Sequence, residues 1–455
     1  MKHLNQMGEA PVGKLLLKFS LPSITMMLVN ALYNVVDRIV VGQYLGTEAL
    51  AAVTLAFPLM IVSLGIGLLA GAGASNIISL FLGEKKYTEA ARSLGSAAIL
   101  GLFFSALLTL VTAGNLDTIL KLCGATPHTL GPAKTFTQVI LLGFIFQAVA
   151  MAVGMPIRAQ GRAKTSMLIA VSGTILNAIL CVIFVGSLKM GIAGSAWATV
   201  LAQLFGLLVS STFYLTPLNH LKITRKNLLP QWTLITKIFL NGLTAFALQL
   251  ISIIIFIQFN TNMTVLKGDT GIAAIGIVNT VMLLVMLPVL GLVQGAQPLI
   301  GFNLGAQNPH RVHQVLKITA FWSTLVLTLW TIFMELFPES LIWIFNSHDQ
   351  ELLKLGALAL RVFLLFLPGY GLTFLLSQYY QSANKIVPSL LTGIGRQFLL
   401  ILLLLFLPKL LGLWGVLLTG PLSDGPFVVL SLILLIREMK LLKVLPPRSE
   451  PLASS

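Results

Sequence analysis

Residues 50–82 read LAAVTLAFPLMIVSLGIGLLAGAGASNIISLFL, with no charged side chain from Leu50 to Leu82. As a helix this run would rise about 50 Å at 1.5 Å per residue, more than the roughly 30 Å of a bilayer's hydrocarbon core. No polar face is available to meet water. The run therefore predicts a membrane-spanning helix that tilts, bends or protrudes. Comparable apolar runs cover 14–41, 92–113, 133–157, 165–186, 191–215, 233–263, 272–304, 314–337, 353–381, 388–407 and 413–436. Composition agrees. The 455 residues are 56% hydrophobic and 9% charged, with a mean hydropathy of +0.93, whereas a soluble domain carries about 25% charged residues. The expected fold class is an all-α membrane protein of twelve transmembrane helices.

The formal net charge is +15, a value that in a soluble protein would suggest a nucleic-acid partner. Its distribution suggests topology instead. Alternate loops hold Lys2, Lys14 and Lys18; Lys85, Lys86 and Arg92; Arg158, Arg162 and Lys164; Lys222, Arg225, Lys226 and Lys237; Arg311 and Lys317; Lys385; and Arg437, Lys440, Lys443 and Arg448. The opposite loops hold Lys121, Lys134, Lys189, Lys267, Lys354 and Lys409. The positive-inside rule places the first set and both termini in the cytoplasm, in a multi-pass protein of the cell's inner (plasma) membrane. No nucleic-acid partner is expected. The N-terminus lacks a small-residue cleavage site after a short apolar core, so no removed signal peptide is expected. Cys123 and Cys181 are too few for a disulfide framework.

The second half of the chain echoes the first at an offset of about 222. Gly46-Thr47-Glu48-Ala49-Leu50-Ala51-Ala52-Val53 aligns with Gly268-Asp269-Thr270-Gly271-Ile272-Ala273-Ala274-Ile275, and Leu82-Gly83 with Leu304-Gly305. Gly191 and Gly194 fall on Gly412 and Gly415 after a one-residue slip. An even number of helices per half makes the halves run in the same sense, related by an axis along the membrane normal. The expected domains are a six-helix lobe over 1–215, a linker over 216–232, a second six-helix lobe over 233–437 and a cytoplasmic tail over 438–455.

Catalytic signatures fail. Gly8 to Lys14 nearly spells a phosphate-binding loop, but Leu15 stands where Ser or Thr must meet magnesium, and no strand precedes it. There is no HExxH, GxSxG or paired-aspartate cluster. No enzyme activity, cofactor or metal is expected. His310 and His313, three apart, read as a solvated loop surface.

The ionisable residues at membrane depth are Asp37, Arg38, Arg361, Arg396 and Asp424. Such residues are expensive in lipid and mark function. Asn30, Asn34 and Asp37 are spaced i, i+4, i+7 and form one polar stripe on helix 1. Asp37 lies about 8 Å inside the outer end of that helix. There a carboxyl can load a proton from outside and release it. The alternative is a neutralised Asp37–Arg38 pair, which the roughly 100° between adjacent side chains weakens. Arg396 on helix 11 and Asp424 on helix 12 lie at similar depth and are expected to form a buried structural pair.

Gly65, Gly67, Gly71 and Gly73 with Ala70, Ala72 and Ala74 predict close packing of helix 2. Pro22, Pro58, Pro288, Pro298 and Pro368 are possible kink positions, or simply packed prolines. Met60 and Met151, with Met26, Met27, Met155, Met282 and Met286, suit either an adaptable substrate wall or lipid-facing filler. Asn30, Asn34, Asp37, Met60 and Met151 are the candidate substrate-binding residues.

Tyr33-Asn34-Val35-Val36-Asp37-Arg38-Ile39-Val40-Val41-Gly42, followed by Leu45-Gly46 and Ala49-Leu50-Ala51-Ala52, resembles helix 1 of the multidrug and toxic compound extrusion family. Gly191-Ile192-Ala193-Gly194-Ser195-Ala196-Trp197-Ala198-Thr199 resembles the start of its helix 6. Arg396-Gln397, Gly415-Val416 and Pro421-Leu422-Ser423-Asp424 resemble its helices 11 and 12. The resemblance spans about 14–437. It implies two six-helix lobes around a central cavity, and export of organic cations and other amphipathic compounds against a proton or sodium gradient. It also implies a polar ion-coupling site made of Asp37, Asn34, Asn177 on helix 5 and Thr199 on helix 6.

One departure bears on the ion. The family often places an aspartate four residues after the helix 5 asparagine, where this chain has Cys181. Sodium wants hard oxygen ligands and a thiol is a poor one, so the coupling ion is expected to be the proton rather than sodium. In the second half, Phe259 stands at the position of Asp37, so coupling is expected in the first half. The expected function is a monomeric multidrug antiporter in the lipid bilayer, exchanging a small-molecule substrate for protons. The alternative is a lipid-linked oligosaccharide flippase of the same superfold. That activity needs several cavity cations, for which Arg38, Arg361 and Arg396 are the candidates.

Overall fold

The computed structural model describes residues 2–221, 227, 229–343 and 350–445, without the side chains of residues 2–5, 33–36, 38, 47, 269 and 272. Lys222, Arg225, Lys226, Arg448 and the side chains of Asn34 and Arg38 therefore lie outside the described residues. Among the described residues the regular structure is helical, with no strand. The crossings are α1 (12–45) and α2 (47–83), α3 Tyr87–Gly114, α4 Leu130–Ala159, α5 Ala163–Ser187, α6 Gly191–Phe213, α7 (232–267) and α8 (269–305). They continue with α9 Pro309–Leu336, α10 in two pieces, Gln350–Phe363 and Leu367–Ser382, α11 Ile386–Leu411 and α12 Leu413–Val444.

Ten of these helices are long and apolar enough to cross a membrane, and the two pieces of α10, bent by 51°, together make another. α12, at 32 residues, exceeds the roughly 20 a crossing needs and completes the twelve. The bend in α10 has a local cause. In an unbroken helix the ring of Pro368 would clash with the carbonyl of Leu364, and it has no N–H to donate. The helix stops at Phe363 and resumes with Pro368 in its first turn, where no donor is needed. Pro288 and Pro298 sit inside α8, and the non-helical residue of that run is Gly268 instead.

The joins between α1 and α2 and between α7 and α8 have no loop. Gly46 breaks the run Val12–Gly83 at φ 79, ψ −170, and Gly268 breaks Trp232–Gly305 at φ 57, ψ −142. Both φ values lie in the region that a Cβ disfavours, so glycine turns the chain at least cost. The two sit at the repeat offset. The turns after α2 and α8 match as well: Lys85 has φ 60 and Gln307 φ 54. There the Lys86 N–H donates to Phe81 O at 2.8 Å and the Asn308 N–H to Asn303 O at 2.9 Å. The turns after α4 and α10 repeat this bond, with Arg162 N–H to Ile157 O at 3.3 Å and Lys385 N–H to Tyr380 O at 2.8 Å. These six-to-one bonds satisfy carbonyls that a helix end leaves free. The duplication read in the sequence is therefore a duplication of turn chemistry.

By chain order the halves are six helices each. By contacts the chain divides into one unit of Met1–Glu9 with Thr25–Gln249 and another of Ala10–Ile24 with Leu250–Ser455. The start of α1 thus packs with the second unit and the start of α7 with the first. Within the first unit, the backbones of α2 and α7 touch. A Cβ on Gly242 would run into the Leu69 carbonyl, and one on Gly73 into that of Ile238. Beside this crossing the buried Asn76 Nδ2 donates to Asn241 Oδ1 at 2.8 Å. Within the second unit, a Cβ on Gly291 would lie 2.7 Å from Ile24 Cα, and one on Gly295 2.7 Å from Ser20 Cα. Leu69 and Gly73 correspond to Gly291 and Gly295 in the repeat, so the same crossing is built twice. The other small residues of α2 serve close packing too: Gly65 faces Phe246, while Gly67 and Gly71 face Met151 and Met155.

Candidate functional site

One group of polar side chains in the first unit converges where α1, α5 and α6 meet. On α6, Ser195, Thr199 and Gln203 are four apart and share one face. On α5, Thr174, Asn177 and Cys181 do the same at steps of three and four. The Asp37 carboxyl is half-buried between them. Its Oδ1 accepts from Cys181 Sγ and from Ser195 Oγ, both at 3.5 Å. Asn177 Nδ2 donates to Thr199 Oγ1 at 3.2 Å, and that hydroxyl donates back to the Ser195 carbonyl at 3.2 Å. Asn30, exposed and two turns before Asp37, accepts from Thr174 Oγ1 at 3.0 Å.

Of the residues expected to couple ions, Asp37, Asn177 and Thr199 thus lie in one cluster of three helices. The side chain of Asn34 lies outside the described residues. Ser195 and Cys181 are each 1% exposed, Asn177 5% and Thr199 8%. Around them Val40, Val185 and Ala198 form an apolar core with Cys181, backed by Leu45, Leu180 and Phe184. A carboxyl with an apolar wall on one side and three helices' polar groups on the other is where a charge change has a large local effect.

Among the described residues, the side-chain oxygen of Asn177 is buried without a hydrogen-bond partner, as is that of Gln203 one turn beyond Thr199. A buried acceptor left unmade costs about 1–3 kcal/mol. The cluster therefore keeps acceptor capacity for a donor that arrives later, such as an acid proton or a ligand N–H.

Met60 and Met151 occupy another part of the same unit. Met60 packs against the core of Ala56, Leu59, Phe136, Ile140, Leu141, Phe144 and Ala196. The Met151 thioether lies over Gly67. On the same two helices Ser63 Oγ donates to Gln147 Oε1 at 2.9 Å. The sequence does not mark Ser195, Ser63 or Gln147 as site residues. The four-residue spacing of Ser195 to Thr199 was a visible signal for the first. The Ser63–Gln147 bond spans 84 positions and left none.

In the second unit Arg396 and Asp424 are in direct contact, their side chains 9% and 7% exposed. Arg396 also reaches Tyr370 OH at 3.3 Å and stacks over its ring at 4.5 Å, while Ser423 Oγ lies 3.4 Å from Asp424 Oδ1. Arg361 lies 3.8 Å from Glu335, and both are about half exposed. Among the described residues no three His, Cys, Asp or Glu side chains gather so as to hold a metal ion.

A family model described as MatE matches residues 22–183 and 242–407, one stretch in each half of the chain. The multidrug export protein MepA of Staphylococcus aureus is 24% identical over 408 residues, covering 90% of both chains. The MepA of Staphylococcus saprophyticus is 23% identical over 415 residues at the same coverage. Among solved structures, a MOP superfamily transporter from Pyrococcus furiosus superposes with a TM-score of 0.88 at 22% identity, over 97% of this chain and 99% of that one. A MATE transporter in a bent conformation superposes with a TM-score of 0.89 at 23% identity, over 97% and 98%.

Proposed function

This chain belongs to the MatE family, the multidrug and toxic compound extrusion transporters, and from that premise we propose that it exports amphipathic, cationic compounds in exchange for protons carried by Asp37. The observation that carries this reading is the surroundings of the Asp37 carboxyl. Its described donors are a thiol and a hydroxyl, Cys181 and Ser195, and no second carboxylate joins it among the described residues. A proton needs one titratable oxygen and a neighbouring acceptor. Sodium needs a shell of hard oxygens, into which the Cys181 sulfur fits poorly.

In the cycle we propose, ionised Asp37 favours the cationic substrate and protonated Asp37 releases it. Protonation adds an O–H donor where Asn177 holds an unused acceptor. Asn30, Asn34, Met60 and Met151 are proposed to complete the substrate surface. Met60 and Met151 are half-buried and flexible enough to fit ligands of several shapes. MepA proteins bear the name of multidrug exporters, which supports the broad substrate class.

The positive-inside distribution supports cytoplasmic termini in the plasma membrane. In a Cys123→Ser background, which removes the native thiol on the opposite side, a cysteine introduced as Leu445→Cys is then expected to resist an impermeant thiol reagent in intact cells. Rapid labelling would reverse the topology. Among the described side chains the flippase reading gains no free cation, because Arg396 is committed to Asp424 and Tyr370, and Arg361 lies beside Glu335.

The deciding experiment reconstitutes the protein in liposomes and imposes proton and sodium gradients separately, following a fluorescent organic cation. Transport driven by the proton gradient is expected. Robust transport driven by sodium alone, at equal pH and zero membrane potential, would overturn the proton assignment.

A further inference from the structure

The last three turns of α12 carry a feature that transport does not use. A groove of about 560 Å³ runs along one helix face and is lined by Ile433, Ile436, Arg437, Lys440, Leu441 and Val444. The apolar members are open: Ile433 is 59% exposed, Ile436 46%, Leu441 50% and Val444 83%. Arg437 and Lys440 are exposed too, and neither is in an ion pair among the described residues. The one acid of this stretch, Glu438, is turned away. It is 9% exposed, accepts from Tyr379 OH at 2.9 Å and lies 3.2 Å from Lys385 Nζ. The outward face is therefore apolar and cationic, with no neutralising carboxylate among the described residues.

Depth fits the same picture. Counting about 20 residues from Leu413 brings the helix through the hydrocarbon core to the region of Ile433. Arg437 follows about 6 Å further and Lys440 about 10 Å further, at the level of lipid headgroups. The apolar residues continue past the cations to Val444.

We propose that this groove binds an anionic phospholipid, with its phosphate between Arg437 and Lys440 and an acyl chain along Ile433 and Ile436. Charge selects the lipid: a basic pair near the surface attracts an anionic headgroup, at an energy per cation that makes loss of both equivalent to roughly 30-fold in binding. A zwitterionic lipid, with no net charge, gains little from that pair. The groove shares no residue with the Asp37 cluster, and the proposal does not depend on the coupling ion.

The test is native mass spectrometry of the full chain in detergent, titrated with phosphatidylglycerol or with phosphatidylcholine of the same acyl chains. Preferential binding of phosphatidylglycerol is expected. The preference should fall roughly 30-fold in Arg437→Gln/Lys440→Gln and persist in Lys409→Gln, which removes an exposed cation from the other end of the helical bundle's last hairpin. A nanodisc series of rising phosphatidylglycerol in phosphatidylcholine should raise the thermal midpoint of the parent protein and not of the double variant. Equal binding of the two lipids, or unchanged preference in the double variant, would overturn the proposal. So would full competition by glycerol phosphate, which would mark a phosphate site without lipid recognition. A dimer that dissociates on the double substitution would assign the groove to a second copy instead.

Discussion

Replacing Arg396 with alanine should be among the most damaging single changes in the second unit. The guanidinium is buried, contacts Asp424 directly and stacks on Tyr370. Without it the Asp424 carboxylate, 7% exposed in its side chain, keeps Ser423 as a neighbour and little water. Breaking a buried pair by removing one partner costs about 3–5 kcal/mol, or roughly 140- to 3,700-fold in the folding equilibrium at about 1.4 kcal/mol per factor of ten. Loss of the stacking contact adds about 0.5–2 kcal/mol. Adding Asp424→Asn to Arg396→Ala removes the stranded charge and should recover most of the first figure, leaving the cavity and the lost stacking. The assay compares parent, both single variants and the double variant by temperature-dependent fluorescence-detected size exclusion in one detergent. The order expected is parent, then double variant, then Arg396→Ala. A double variant that melts at or below Arg396→Ala would refute the reasoning, since the carboxylate would then not be the source of the loss.

Asp37→Asn should fold and insert normally, because an amide costs less in lipid than an anion; gradient-driven export should collapse while substrate binding loses its pH dependence, and wild-type export with an unchanged response to the imposed pH gradient would remove Asp37 from the mechanism. Cys181→Asp should place a second carboxylate beside Asp37 and make transport respond to sodium; an unresponsive variant that still transports would show that the thiol is not what sets the ion preference. Gly242→Ala should destabilise the first unit by about 1–3 kcal/mol through overpacking against the Leu69 backbone, whereas Gly276→Ala, with open space around it, should be neutral; equal melting of the two variants would disprove the close crossing of α2 and α7.

Each of these predictions rests on a mixture of what was legible in the sequence and what was not. The α10 bend shows the mixture in one element. Pro368 marked a possible kink, but so did Pro288 and Pro298, which α8 absorbs. Which proline breaks its helix depends on the neighbours available to satisfy the freed carbonyls, and those come from elsewhere in the chain.

Sequence alone determined the solvent, the number of crossings and the duplication, because hydropathy runs and repeat offsets are properties of local composition. It also singled out Asp37, since an acid in an apolar run is conspicuous without any structure. Tertiary structure decided what stands around that acid. Cys181 and Ser195 reach Asp37 across 144 and 158 positions, and no spacing rule encodes contacts at that range. It decided as well that α1 and α7 each divide between the packing units. That division depends on whether glycines such as Gly242 and Gly295 find a partner backbone close enough to fill the space their missing side chains leave, and a helix's own periodicity does not name its partner.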